Sequence, residues 1–319
     1  MKLIESKAEY IPQEEGLEGI YKQIELAGRT AYHSQDKITP DSAKDFVDRM
    51  IKSKHGAALE AGTVYLIGRF SSKKELFEDK WAFKYIENPY TKTIRIPLDE
   101  NNRYNGPQLL YVTTNYRVLV ENGWLDDLKE PEDTNTVISY NPTELHEKRY
   151  TMRFTCSRAI AQELTRHRVF SYLMESQRYI NYSKERHGGE INYIMPSWFL
   201  RANATQQKAF IQIIRDAESY YMALLGKWDD KKPDRRFKTG FKDNPLTPQQ
   251  ARDVLPNATK TELIMTGFSS DWRHVLDLRL FEKTGKVAPD MLDLMQKAQK
   301  TMQEAGIWED IMSKPSKFE

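Results

Sequence analysis

The stretch Arg166 to Tyr179, RHRVFSYLMESQRY, concentrates side chains able to do chemistry. Arg166, His167 and Arg168 are consecutive, and Ser171, Ser176 and Arg178 follow within one more run. Buried arginines need partners, and the planar guanidinium suits bidentate contact with phosphate or carboxylate. So much positive charge beside the short apolar run Val169 to Leu173 points to a pocket for an anionic ligand. Arginines on a solvated helix face are the plainer alternative.

Several elements must position this stretch. Tyr150 to Cys156 alternates like a strand. Ser157 can cap a helix from Arg158 to Leu164, which brings His167 and Arg168 near a helix end. Upstream, Met1 to Tyr10 reads as an opening strand, and Pro12 and Gly16 turn the chain into a helix with Ile20, Ile24 and Leu26 at helical spacing. Thr39 and Pro40 start a second helix, whose apolar face is Ala43, Phe46, Val47, Met50 and Ile51. Thr63 to Phe70 is strand-like. Asn102, Gly106 and Pro107 mark turns, Leu109 to Thr113 a further strand, and Tyr116 to Leu128 a short helix interrupted near Gly123. Thr205 to Leu225 carries the longest helical pattern and reads as a core helix. Residues 226–245 read as an exposed linker of mixed charge, Pro289 to Ala305 as helix, and the final ten residues as a frayed tail.

RHRVFSYLMESQRY resembles the signature of the flavin-dependent thymidylate synthases: an RHR triplet, a serine after seven intervening residues, then an arginine-tyrosine pair. Arg166, His167, Arg168, Ser176, Arg178 and Tyr179 all match. Further segments resemble the family in the same order: GRTAYHS ending at Ser34, His55 with Glu60 five positions on, Ala251-Arg252-Asp253-Val254-Leu255-Pro256, and Trp272 to Arg279 with His274 inside it. The chain departs from the family at Ala61, where a second histidine is common. It departs again at Leu173-Met174, where an asparagine-glutamate pair is common and Glu175 is displaced by one position. Phe268 and Ser270 stand where an asparagine and an arginine are frequent. The stretch between Glu60 and Arg166 is much longer than in most members.

The resemblance implies an α+β fold, with a mixed or antiparallel sheet packed with helices, as one elaborated domain over residues 1–319 with an insertion at 71–148. It implies FAD bound between subunits of a homotetramer and reductive methylation of dUMP at C5. The folate 5,10-methylenetetrahydrofolate would supply the carbon and NADPH the reducing equivalents. By the same resemblance, Ser34, His55, Glu60, Arg166, His167, Arg168 and His274 bind the flavin. Glu163, Glu175, Ser176, Gln177, Arg178, Arg252 and Arg279 bind the nucleotide, with Arg166, Ser176 and Arg178 carrying the catalytic roles. Two other readings stay open: a flavoenzyme acting at C5 of another pyrimidine nucleotide such as dCMP, and a nucleotide-binding homologue without catalysis.

Composition narrows the remaining classes. With 319 residues the chain can bury a substantial core. Lys plus Arg total 48 against 46 for Asp plus Glu, a formal charge of +2 that gives no general nucleic-acid footprint. The single cysteine, Cys156, excludes an internal disulfide and reads as structural, and no metal-binding motif occurs among the six scattered histidines. No stretch approaches the ~20 apolar residues of a membrane span, and the charged start is unlike a signal peptide. The expectation is a cytoplasmic protein that binds neither nucleic acid nor membrane.

Overall fold

The computed structural model describes residues 1–103, 105–129, 141–168, 170–184, 189–227 and 244–318, with the backbone alone of 136–138. The opening segment splits into β1 (Lys2–Ile4) and β2 (Lys7–Ile11), which join different sheets. Gly16, at φ +78°, then turns the chain into α1 (Gly16–Ala31). The next helix, α2 (Ser42–Lys52), starts two residues beyond Pro40, after a turn closed by the Ser42 N–H on the Thr39 carbonyl at 3.2 Å and the Thr39 N–H on the Ser42 hydroxyl at 2.9 Å. α3 (Gly56–Leu59) leads into β3 (Thr63–Phe70). Residues 71–148 contribute α4 (Lys73–Glu78), α5 (Lys80–Ile86), β4 (Lys92–Pro97), β5 (Gln108–Asn115), α6 (Tyr116–Asn122) and β6 (Thr136–Ile138). As the sequence predicts, α6 stops at Gly123, whose φ of +72° is left-handed.

The second half holds β7 (Arg149–Ser157), α7 (Arg158–Leu164), β8 (Ser171–Met174), β9 (Asn192–Ile194), α8 (Ala204–Leu224), α9 (Pro248–Ala251), β10 (Lys260–Phe268), α10 (Ser269–Arg279), α11 (Pro289–Glu304) and α12 (Trp308–Met312). One antiparallel sheet has the order β2-β7-β10-β8, with Tyr10 opposite Met152, Met152 opposite Met265 and Leu173 opposite Ile264. A second, also antiparallel, has the order β4-β5-β3-β6, so residues 71–148 build most of it onto β3. β1 and β9 form a small parallel pair. Helices cover these sheets, which is the mixed α+β architecture the sequence predicts.

Two main cores follow from the alternation of strands and helices. Met152, Phe154, Leu263 and Met265 pack against Trp272 and Leu276 of α10, Leu294 of α11 and Ile311 of α12. Ile20, Ile24, Phe46, Leu66, Val112 and Leu119 make the second. Each such fully buried side chain is worth about 1.5–3 kcal/mol, and the Trp272 indole satisfies its N–H on the Tyr150 carbonyl at 3.0 Å. Leu173 packs against the second core and also against Ala27, Ala61 and Ile264, which joins the two sheets.

Two expectations change. α8 is a surface helix: it buries Ile214, Ala217, Tyr221 and Ala223, while Ile213 remains 60% exposed, because Arg215, Asp216 and Glu218 interleave with the apolar positions and resist burial. The end of the chain is anchored rather than frayed. Ile311 of α12 is buried, Arg273 donates to the Met312 carbonyl at 2.8 Å and Ser316 to Asp277 at 2.7 Å. Most of the 226–245 linker lies outside the described residues. Among those described, no helix is long and apolar enough to cross a membrane.

Candidate functional site

The RHR triplet sits where α7 ends. Ser157 caps the helix by accepting the Ile160 N–H at 3.3 Å, and two further turns carry the chain through Arg166 and His167. The Tyr172 hydroxyl fixes this turn by bonding the carbonyls of Leu164 and His167, at 2.8 and 2.6 Å. His167 Nε2 accepts from Arg279 Nε at 3.2 Å, and Arg279 also lies 3.7 Å from the Glu163 carboxylate. The start and the end of the motif-bearing half thus meet at α7 and α10. Burial, together with Arg279, His274 and Arg166, pulls the His167 imidazole down to about 4, so it is neutral at physiological pH and can accept this bond. Arg166 and Arg168 are exposed, and neither has an ion-pair partner among the described residues. His274 stacks on Phe318 with centroids 5.7 Å apart, and its buried Nδ1 has no hydrogen-bond partner among the described residues.

A second group gathers at the end of α1. The Ser176 N–H donates to the Ala31 carbonyl at 2.9 Å, the Tyr179 ring lies 5.7 Å from that of Tyr32, and the Tyr32 hydroxyl approaches His55 Nδ1 at 3.4 Å. Ser34 stands just beyond, its N–H bonded to the Arg29 carbonyl at 2.9 Å. Arg178 is exposed, stacks on Tyr179 and donates to Gln249 of α9 at 3.2 Å. α9 leads directly into the turn that carries Arg252, which is half-buried and unpaired among the described residues. Gln177 is buried, with its Nε2 unpartnered among the described residues.

Glu60 and Glu175 are each tied to a cation that the sequence reading did not single out. Glu60 pairs with Arg117 at 2.6 Å and, through its carbonyl, with both terminal nitrogens of the buried Arg149 at 3.2 Å. Arg149 also reaches Thr63 and Ser171, and burial lowers its guanidinium to about 10. Glu175, 2% exposed, is bound by Lys260 at 2.8 Å, by the Tyr182 hydroxyl at 3.0 Å and by the Glu262 N–H at 3.2 Å. The one local signal for any of these was the spacing of Arg117 and Glu121, a helical ion pair at 2.7 Å; nothing local marks Arg149 or Lys260. Ala61 is buried at the junction of the sheets with Ala27 and Ile264, so that position serves packing.

Residues 134–304, more than half the chain, match the family described as thymidylate synthase complementing protein. The chain belongs to that family. It is 32% identical over 129 residues to the flavin-dependent thymidylate synthase of Corynebacterium efficiens, covering 40% of this chain and 47% of that protein. The Mycobacterium tuberculosis H37Ra enzyme of the same description is 32% identical over 126 residues, with 40% and 47% covered. The chain thus spans about half the length of these relatives. A solved UMP/dUMP methylase PolB from Streptomyces cacaoi, bound with 5-Br dUMP, aligns over 98% of this chain and 97% of that one, at 14% identity and a TM-score of 0.41. So loose an overlap transfers no residue role.

The side chains present fit a flavin, the cofactor that the relatives' description names. Its phosphate calls for cationic donors not already paired, which Arg166 and Arg168 are among the described residues. Its heterocycle calls for directional partners, and the buried, unsatisfied His274 Nδ1 is one.

Proposed function

We propose that this protein reductively methylates dUMP at C5 to give dTMP, using FAD, with 5,10-methylenetetrahydrofolate as carbon donor and NADPH as reductant. The observation that carries the reading is the His167–Arg279 hydrogen bond at 3.2 Å, which joins the segment resembling a flavin site to the segment resembling a nucleotide site. When bound, FAD supplies the hydride. The chain's own residues orient and neutralise. Arg166, His167, Arg168 and His274, with Ser34, His55 and Glu60, hold the flavin. Arg178, Arg252 and Arg279 converge on the nucleotide phosphate and the pyrimidine oxygens, Ser176 bonds the nucleotide, and Glu163 orients Arg279. Gln177 and Glu175 line the nucleotide side from within the fold. No cysteine nucleophile is called for, in keeping with Cys156, whose thiol burial pushes up to about 12.

A second reading is favoured by one feature: Glu175 is held by Lys260, so recognition of the base can differ from that in relatives, and C5 of another pyrimidine nucleotide becomes the target. Mass analysis of the product with dUMP against dCMP separates the two. A methylated dCMP and unchanged dUMP would overturn the first. The proposal includes a cytoplasmic homotetramer in which each chain is one domain with an insertion at 71–148. Light scattering that finds an active monomer would remove the tetramer.

A further inference from the structure

Glu60 is held at two points. Arg117 Nη1 meets its Oε1 at 2.6 Å, while Arg117 Nε meets Glu121 Oε1 at 2.7 Å, so a single guanidinium spans both carboxylates. Arg149 holds the other side of the residue, the carbonyl, with two nitrogens at 3.2 Å. Gly56, at the start of α3, makes room for this. A Cβ there would stand 2.8 Å from Arg117 Nε, closer than real Cβ contacts, and 3.1 Å from its Cζ. The second carboxylate oxygen of Glu60 has no partner among the described residues. Glu60 and Arg117 also border a cavity of about 280 Å³ whose wall includes Asn88, Tyr90, Asn115 and Asn122, all supplied by residues 71–148.

We propose that Arg117 is a positioning residue: reaching across Gly56, it fixes the Glu60 carboxylate so that its second oxygen accepts a hydrogen bond from bound flavin. The proposal rests on the flavin reading of Glu60 and gives residues 71–148 a part in the site. A free glutamate side chain samples several rotamers, and ordering it on binding costs affinity. The fork of Arg117 removes that freedom before the ligand arrives. The ion pair is partly exposed, with side chains 37% and 26% accessible, so it contributes little to global stability. Its role therefore separates cleanly from a structural one.

Three variants of the full chain test this: Arg117→Met, Arg117→Lys and Gly56→Ala. FAD affinity is read by fluorescence titration, and backbone mobility by hydrogen exchange over residues 55–62. Arg117→Met should weaken FAD binding about tenfold or more, the loss of one charge-assisted hydrogen bond's worth of orientation. Gly56→Ala should do the same by displacing the guanidinium. Arg117→Lys, a point charge unable to span both carboxylates, should fall between. Exchange over 55–62 should quicken in Arg117→Met, with the β7–β10 amides and the melting temperature little changed. Equal FAD affinity in wild type and Arg117→Met would overturn the proposal. A wild-type protein that binds no FAD would remove the functional reading itself. The hold of Arg117 on Glu60 would then be judged by exchange alone, and unchanged exchange would refute it.

Discussion

Lys260→Met is expected to be among the most destabilising single changes near the motif. Lys260 Nζ lies 2.8 Å from Glu175 Oε2 and 2.9 Å from Glu262 Oε1, and Glu175 is 2% exposed. Burial alone would lower the Lys260 ammonium, but Glu175 and Glu262 outweigh it, and its pKa lies above the ordinary lysine value. Because the folded value is raised, the contribution from the lysine's protonation is complete below about pH 10.4. It disappears only as pH climbs through the higher folded value, so urea unfolding at about pH 8 reads it in full. Removing the cation leaves a buried carboxylate whose remaining donors among the described residues are the Tyr182 hydroxyl and the Glu262 N–H. Breaking a buried pair in this way costs about 3–5 kcal/mol. Glu175→Gln keeps one acceptor oxygen for Lys260 and the Glu262 N–H, turns its amide N–H toward the Tyr182 oxygen and leaves Lys260 with Glu262, so it should cost less, about 1–3 kcal/mol. The double variant Glu175→Leu/Lys260→Met removes both charges and should recover a large part of the Lys260→Met loss. Tryptophan fluorescence during urea unfolding gives all three values, with a dUMP titration run beside them. A loss under about 1 kcal/mol for Lys260→Met would refute the reasoning. So would a Glu175→Gln protein of full stability that no longer binds nucleotide.

Other consequences follow from the same geometry. Arg178→Ala and Arg252→Ala should each weaken dUMP binding by about 1.5–3 kcal/mol, or roughly 10- to 150-fold, in isothermal titration. Neither side chain has an ion pair among the described residues, so the melting curve should barely move. His167 sits near 4 in the folded chain, below its ordinary value, so its stabilising contribution is present above about pH 6.5 and is lost as pH falls through about 4. His167→Gln should flatten the acid limb of the stability profile by up to about 1.4 kcal/mol per pH unit. Part of the slope should remain, because burial also depresses His146. Cys156, 1% exposed, should resist iodoacetamide in the native state, and a Cys156→Ala enzyme should still form product.

Much of the scaffold was legible because local rules and tertiary packing agree there. Thr63–Phe70 and Arg149–Ser157 carry branched and aromatic runs that fit central strands, and Ser157 caps α7 as its position before a helical run suggests. The split of Met1 to Tyr10 between two sheets was not legible, since pairing with β9 and with β7 depends on residues far along the chain. The same limit applied to the site. His167 and Arg279 were both picked out by resemblance, but their contact spans 112 positions and only the fold reveals it. Arg117, Arg149 and Lys260 were missed for the complementary reason. Each is an ordinary cation in its own segment and becomes particular only through a carboxylate or carbonyl brought to it from elsewhere. The anchored tail is a further case, because charged residues between Ile311 and Phe318 conceal its few packing contacts.

The central claim is flavin-dependent methylation at C5 of a pyrimidine nucleotide, and one reaction tests it most directly. Purified protein loaded with FAD is mixed with dUMP, 5,10-methylenetetrahydrofolate labelled in its methylene carbon, and NADPH. The nucleotide fraction is then analysed by mass spectrometry. The expected product is dTMP carrying the labelled methyl group, with none formed when FAD is withheld. Protein that takes up FAD and oxidises NADPH while every nucleotide supplied returns unmethylated would contradict it.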